Sequence, residues 1–174
     1  MLIQNNVLNS ELTLKGKRIG NYLLSKELGR GKFGIVYHCK NIVSGNIFAI
    51  KQVNKTLLCS KPIIKRLLLS EVMILQEISH PNVMHLYDFL ESENNFYLIV
   101  NYCNQGTLED LLLSRSSGCL PEAEAVFYLK QIANGFMELR RKKILHRDFK
   151  LANILLNDNR VVIGDLVSRK WAKI

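Results

Sequence analysis

Ile144-Leu145-His146-Arg147-Asp148-Phe149-Lys150-Leu151-Ala152-Asn153 sets an Asp, a Lys and an Asn at fixed offsets inside apolar flanks. A loop of this make-up can hold a hydroxyl, a phosphate and a metal ion together. Asp148 can accept a proton or orient an alcohol, Lys150 can neutralise phosphate charge, and Asn153 can offer its amide oxygen to a hard divalent cation. The plain alternative is a surface turn whose Asp and Asn bond to nearby backbone.

Upstream, Gly29-Arg30-Gly31-Lys32-Phe33-Gly34-Ile35-Val36 is a G-x-G-x-x-G-x-V run between two strand-like segments. Glycines at this spacing let backbone amides approach phosphates closely. With glycine at about 7% of residues, chance produces the pattern in on the order of one chain in a few hundred of this length. A hairpin that needs positive φ would explain it structurally. A dinucleotide-binding turn would need a helix directly after the glycines, whereas Ile35-Val36-Tyr37 is β-branched and aromatic and predicts a strand.

Phe48-Ala49-Ile50-Lys51 places a lysine inside an otherwise apolar strand. Burying an ammonium is expensive unless a carboxylate or phosphate meets it, so Lys51 needs a partner; the alternative is a lysine on an exposed edge. Glu71 is the candidate carboxylate, on a helix whose Ile74 and Leu75 lie about one turn later on the core face.

The 174 residues, 48% of them hydrophobic, suffice for one sizeable domain. No apolar run approaches the roughly 20 residues that span a bilayer, and the N-terminus lacks the order of a signal peptide, which predicts a cytoplasmic or nuclear chain with no membrane span, the cytoplasm being the expected place. Cys39, Cys59, Cys103 and Cys119 form no C-x-x-C pair and have no His at zinc spacing, which argues against disulfide and metal roles. The net charge of +9 is spread over Lys15 to Arg18, Lys61 to Arg66 and Arg140 to Lys143 without interleaved aromatic residues. That pattern argues against nucleic acid and for solvated faces with an attraction for polyphosphates.

Residues 1–17 show no period and read as an N-terminal extension. Strands are predicted over Tyr22 to Leu28, Ile35 to Lys40, Ile47 to Val53, His85 to Phe89 and Phe96 to Asn101. Ile63, Leu67, Ile74, Leu75 and Ile78 predict a helix between Lys61 and Ile78. Thr107 and Asp110 form a capping pair for a short helix to about Leu113. Pro121 opens a long helix whose apolar positions are Val126, Phe127, Leu129, Ile132, Phe136 and Leu139, and whose end is basic.

The glycine run, the strand lysine and the loop at 144–153, in this order along the chain, resemble the eukaryotic protein kinases, and the Lys two residues after Asp148 resembles the serine/threonine type. The resemblance implies an α+β bilobal fold: a five-stranded antiparallel N-lobe with one helix (18–103), and an incomplete, mainly helical C-lobe (104–174). It implies MgATP binding in the cleft and transfer of the γ-phosphoryl group to Ser or Thr of protein substrates. Glu71, ten residues before Pro81, sits at the family's helix-glutamate offset. Leu98-Ile99-Val100-Asn101-Tyr102-Cys103 resembles the hinge, so that Asn101 offers its carbonyl and Cys103 its amide to adenine. Leu28, Val36, Ala49 and Leu155 would line the base, Val100 would be the gatekeeper, and Gly29, Gly31 and Gly34 would cover phosphates. Asp148 and Lys150 would act on the hydroxyl and phosphate, Lys51 and Glu71 would pair, and Asn153 and Asp165 would hold Mg²⁺.

Ile163-Gly164-Asp165-Leu166-Val167 stands where the family has D-F-G, twelve residues after Asn153. Asp165 is present, but Val167 replaces the glycine, and a β-branched residue tolerates positive φ poorly. Ser168-Arg169 suggests instead a one-residue deletion in the family's D-F-G-x-S-R. The chain stops at Ile174, before an activation segment, which reads as truncation and predicts weak transfer. Rival expectations are a nucleotide-binding pseudokinase that regulates a protein partner, and an incomplete gene product. The hinge Tyr102-Cys103-Asn104-Gln105-Gly106 and His80-Pro81-Asn82 are similar to the autophagy-initiating ULK-like kinases.

Overall fold

A computed structural model of the chain describes residues 16–31, 34–56 and 62–164, with the backbone alone at 62, 64, 65, 67 and 71. The described residues fall into two compact units, those up to Pro62 with Leu86–Tyr102, and Ile63–His85 with those from Cys103 onward.

The first unit is a sheet of β1 (Arg18–Ile19), β2 (Tyr22–Gly31), β3 (Gly34–Asn41), β4 (Ile47–Asn54), β5 (Leu86–Glu91) and β6 (Asn95–Asn101). Its order is β1-β2-β3-β4-β6-β5, antiparallel throughout. The five expected strands are joined by a sixth, the two-residue β1, which pairs Arg18 with Leu23 and Ile19 with Tyr22. Alternation of side chains divides the sheet into two faces. Tyr22, Leu24, Tyr37, Cys39, Ile50, Tyr97 and Ile99 form one buried cluster. Each such side chain contributes about 1.5–3 kcal/mol on burial, which is why register is held firmly: a one-residue slip would turn the cluster to the other face.

The second unit contains α1 (Pro62–Glu77), α2 (Leu108–Ser114), α3 (Glu122–Arg141), a 3-10 turn (Leu151–Asn153) and the hairpin β7 (Ile154–Asn157) with β8 (Arg160–Ile163). In α1 the buried seam is Leu68, Val72 and Leu75, with Ile74 and Ile78, whereas Ile63 is 67% exposed. Ile63 was expected on the core face, but it lies in the first turn, before the packed length of the helix begins. Thr107 caps α2: its hydroxyl accepts the Asp110 N–H, and Asp110 returns a bond to the Thr107 N–H, a reciprocal pair whose cap is worth about 0.5–2 kcal/mol.

In α3 the expected apolar stripe is only partly the buried one. Tyr128, Ile132, Gly135 and Leu139 are buried, at i, i+4, i+7 and i+11, whereas Val126, Phe127 and Leu129 are exposed. The reason is Gly135. A Cβ there would lie 2.6 Å from Ile163 Cδ1 and 2.8 Å from the Asn82 carbonyl oxygen. The helix therefore approaches β8 with its backbone, and the face that approaches is centred on a residue that carries no hydrophobic signal. Among the described residues no helix is long and apolar enough to cross a membrane.

Gly135→Ala gains up to about 1 kcal/mol of helix propensity but overpacks a backbone contact, which costs about 1–3 kcal/mol. Denaturant unfolding should show net destabilisation for Gly135→Ala, with Asn134→Ala on the exposed side within about 0.5 kcal/mol of wild type.

Candidate active site

The 144–153 loop lies between α3 and β7, in the second unit, and is anchored at its apolar end. Ile144 is buried and its N–H donates to the Leu139 carbonyl at 2.8 Å. His146 is buried as well, with Nε2 at 2.9 Å from the Gly164 carbonyl oxygen. A carbonyl can only accept, so Nε2 carries the proton. Nδ1 is then free to accept the longer bond, 3.4 Å, from the Asp148 N–H, and the ring is the neutral tautomer. Arg147 stands between them at φ 64°, a left-handed conformation unusual for a long side chain. The chain thereby turns from an inward His146 to an outward Asp148. Phe149 packs edge-on against Phe136, with ring centroids 4.7 Å apart.

Asp148, Lys150 and Asn153, singled out from the sequence, are brought together. Lys150 Nζ lies 2.9 Å from Asp148 Oδ2. Asn153 Nδ2 donates to the same Oδ2 at 3.0 Å and to the Asp148 carbonyl at 2.8 Å. Both side-chain contacts fall on Oδ2, so Oδ1 is the carboxylate oxygen turned to neither. The Lys150 contact first, and then that of Asn153, hold the Asp148 carboxyl below the usual aspartate range. Asn153 is itself buried, its N–H donating to the Lys150 carbonyl and its carbonyl accepting the Gly164 N–H. With Nδ2 committed to Asp148, its side-chain oxygen is the donor suited to a hard cation. Gly164 is closely packed: a Cβ would lie 2.5 Å from Leu155 Cδ1, which would have to shift to admit it. Asp165, Leu166 and Val167 lie outside the described residues.

In the first unit, ladder register settles which candidates share a face. Gly29 pairs with Val36, Val36 with Lys51, and Ala49 with Val100. Directly paired residues point the same way, so Val36, Ala49, Lys51 and Val100 share the face opposite the buried cluster. Lys51 is half-buried on β4, an interior strand between β3 and β6, which removes the exposed-edge alternative. The Glu71 side chain, its expected partner, lies outside the described residues. Leu28 is the extra residue of a bulge between Glu27 and Gly29. Asn101 pairs with Phe48, so its side chain is on the cluster face, where Nδ2 donates to the Tyr87 hydroxyl at 3.1 Å.

The glycines separate into two kinds. Gly29 and Gly31 belong to β2 and Gly34 to β3, and Gly29, Gly31 and Gly34 all lack positive φ. The positive-φ explanation therefore fails, and so does the dinucleotide turn, because a strand follows. At Gly34 a Cβ would lie 1.9 Å from the Gln52 carbonyl oxygen, a contact no side chain can share. At Gly29 and Gly31 nothing lies within 4 Å. Internal packing explains the third glycine and, among the described residues, does not explain the first two.

The family model described as "Protein kinase domain" matches residues 22–172. The chain belongs to the protein kinase family. Among its relatives are the serine/threonine-protein kinase ATG1c of Arabidopsis thaliana, 35% identical over 83% of this chain and 19% of that protein, and the serine/threonine-protein kinase atg1 of Dictyostelium discoideum, 39% identical over 82% and 22%. The hormonally up-regulated neu tumor-associated kinase of Mus musculus is 36% identical over 86% of this chain and 21% of its own length. Relatives named ATG1, toward which the hinge sequence points, thus stand beside a differently named kinase at a similar level. The chain spans about a fifth of the length of these curated relatives. In this kinase domain Cys103 is half-buried, and burial pushes its thiol up to about 12, so the thiol stays protonated.

Two outcomes follow from this geometry. Asp148 should remain ionised below the ordinary aspartate range; the ion pair, present above that range, is lost only as the pH falls through the lowered value. Lys150→Met should move the carboxyl ¹³C titration midpoint upward, and an unmoved midpoint would contradict the pairing. Gly34→Ala should lower the melting temperature, while Gly31→Ala, facing open space, should leave it near wild type.

Proposed function

We propose that this chain binds MgATP and transfers the γ-phosphoryl group to Ser or Thr hydroxyls of protein substrates. The observation that carries the reading is the Asp148 carboxylate, with Lys150 Nζ and Asn153 Nδ2 on one oxygen at 2.9 and 3.0 Å and the other oxygen turned to neither. That second oxygen suits a substrate hydroxyl, whose proton it accepts or whose attack it orients. Lys150, beside it, meets the charge of the transferring phosphate. Phosphoryl transfer asks mainly for alignment and charge stabilisation, and both are local properties of this loop.

On the sheet unit, the amides around Gly29, Gly31 and Gly34 take phosphate oxygens, and Lys51 neutralises them. By family resemblance Leu28, Val36, Ala49 and Val100 of this unit meet the base and the Asn101 carbonyl its edge; in the second unit the same resemblance assigns Leu155 and the Cys103 amide to nucleotide. For Mg²⁺ the donor chemistry fits at Asn153, whose amide nitrogen is spent on Asp148 and whose oxygen is a hard ligand; Asp165 is the second ligand by family resemblance. The ion supplies charge neutralisation between phosphates when bound.

Calorimetry with MgATP tests the nucleotide half. Lys51→Met should weaken binding about tenfold, which corresponds to about 1.4 kcal/mol, while Lys40→Met on the preceding strand should not. Transfer of labelled phosphate to a Ser/Thr peptide tests the other half and should be abolished by Asp148→Asn. Equal affinity of wild type and Lys51→Met would sink the nucleotide assignment, and transfer that survives Asp148→Asn would sink the catalytic one.

A further inference from the structure

The β7–β8 turn consists of Asp158 and Asn159, at φ 49° and 61°. Both are left-handed, as a type I′ hairpin turn requires. Glycine adopts this conformation at least cost, and Asp and Asn tolerate it better than other L residues. What their side chains add is visible in their partners.

Asn104 donates from Nδ2 to Asp158 Oδ1 at 2.7 Å and accepts the Asp158 N–H at Oδ1 at 3.1 Å. Gln105 repeats the arrangement one residue on: Nε2 donates to Asn159 Oδ1 at 3.3 Å, and Oε1 accepts the Asn159 N–H at 2.6 Å. Each amide closes a reciprocal pair of bonds on one turn residue. Backbone bonds run beside them, from the Gln105 N–H to the Leu156 carbonyl at 3.0 Å and from the Leu156 N–H to the Gly106 carbonyl at 2.9 Å. From α3, Gln131 donates to the Asn159 carbonyl at 3.2 Å and accepts the Val161 N–H at 3.0 Å. A hairpin with strands this short is marginal alone, so its position is set by what grips its turn.

We propose that Asn104 and Gln105 are positioning residues: by gripping Asp158 and Asn159 they lock the segment after Cys103 to the β7–β8 hairpin, and so fix Leu155 and Asn153 relative to the Cys103 amide. This rests on the reading of those three as nucleotide and metal contacts. All of them lie in one compact unit, so the lock acts within a single body. Glycine at 158 and 159 would make a cheaper turn but would leave both amides of the grip without side-chain partners.

The test uses the whole chain. Asn104→Asp sets two carboxylates against each other where an amide and a carboxylate meet, and adding Asp158→Asn exchanges the pair and restores both a donor–acceptor match and the original net charge. The dissociation constant for MgATP should rise about tenfold in Asn104→Asp and return to within about twofold in the exchange variant, as expected of directly coupled residues. Because the pair is exposed, both variants should fold, and melting temperatures read in parallel separate a positioning role from general destabilisation. High salt should not erase the loss, as it would for long-range repulsion of nucleotide. Amide exchange at Leu156 should accelerate in Asn104→Asp and recover in the exchange variant. Unchanged affinity and exchange in Asn104→Asp, or no recovery on exchanging the pair, overturns the proposal. Wild type that binds no MgATP brings down the nucleotide reading instead, and the lock then stands or falls on Leu156 exchange alone.

Discussion

The second unit hangs on the main chain of Ile163 and Gly164. Ile163 donates to the Asn82 carbonyl and accepts from the Met84 N–H, while Gly164 donates to the Asn153 carbonyl and accepts from His146 Nε2. Segments far apart in sequence are thereby joined over consecutive residues of one buried strand end. Buried peptide groups must be paired, and leaving one unmade costs about 1–3 kcal/mol. Such a junction therefore resists displacement of any one member. The small residues follow from it: Gly135 lets α3 reach Ile163, and Gly164 leaves room for Leu155.

That junction explains how an exposed carboxylate can be held in one place. Asp148 itself is solvated, and surface ion pairs such as that with Lys150 contribute little to stability, about 0–1 kcal/mol. Its position comes instead from buried neighbours on both sides in sequence. His146 is pinned to Gly164, and Asn153 is pinned to Gly164 and to the Asp148 backbone. Buried, hydrogen-bonded polar groups hold an exposed one, which is the arrangement that alignment-dependent chemistry requires.

The elements with strong periodicity were legible in the sequence: the strands, the capped α2 and the extent of α3. So was the cluster of Asp148, Lys150 and Asn153, because those residue types at those offsets have few other uses. What was not legible has a common physical cause, the approach of backbone to backbone. The buried face of α3 is centred on Gly135, which has no side chain to report its burial, so a hydrophobic pattern pointed to Val126, Phe127 and Leu129 instead. The role of Gly34 depends on the Gln52 carbonyl, eighteen residues away by number (52 − 34) and invisible until β3 and β4 are paired. The grip of Asn104 and Gln105 on the β7–β8 turn joins residues 54 positions apart. The Asp-Asn pair could have signalled a left-handed turn, but nothing local signals what holds it.

The same contrast clarifies the glycine loop. A G-x-G-x-x-G pattern is usually treated as one feature, yet its members answer to different constraints in this chain. Gly34 is excluded from carrying a side chain by the sheet itself, whether or not any phosphate is present. Gly29 and Gly31 have ordinary strand conformations and open space beside them, so neither φ nor packing demands glycine there. Neither backbone conformation nor packing among the described residues accounts for these two glycines. Gly29 is paired with Val36, and Val36 with Lys51, on the face that also carries Ala49 and Val100. An apolar surface and a cation are thus presented together, which is the combination that the proposed binding of a flat base bearing a polyphosphate would require.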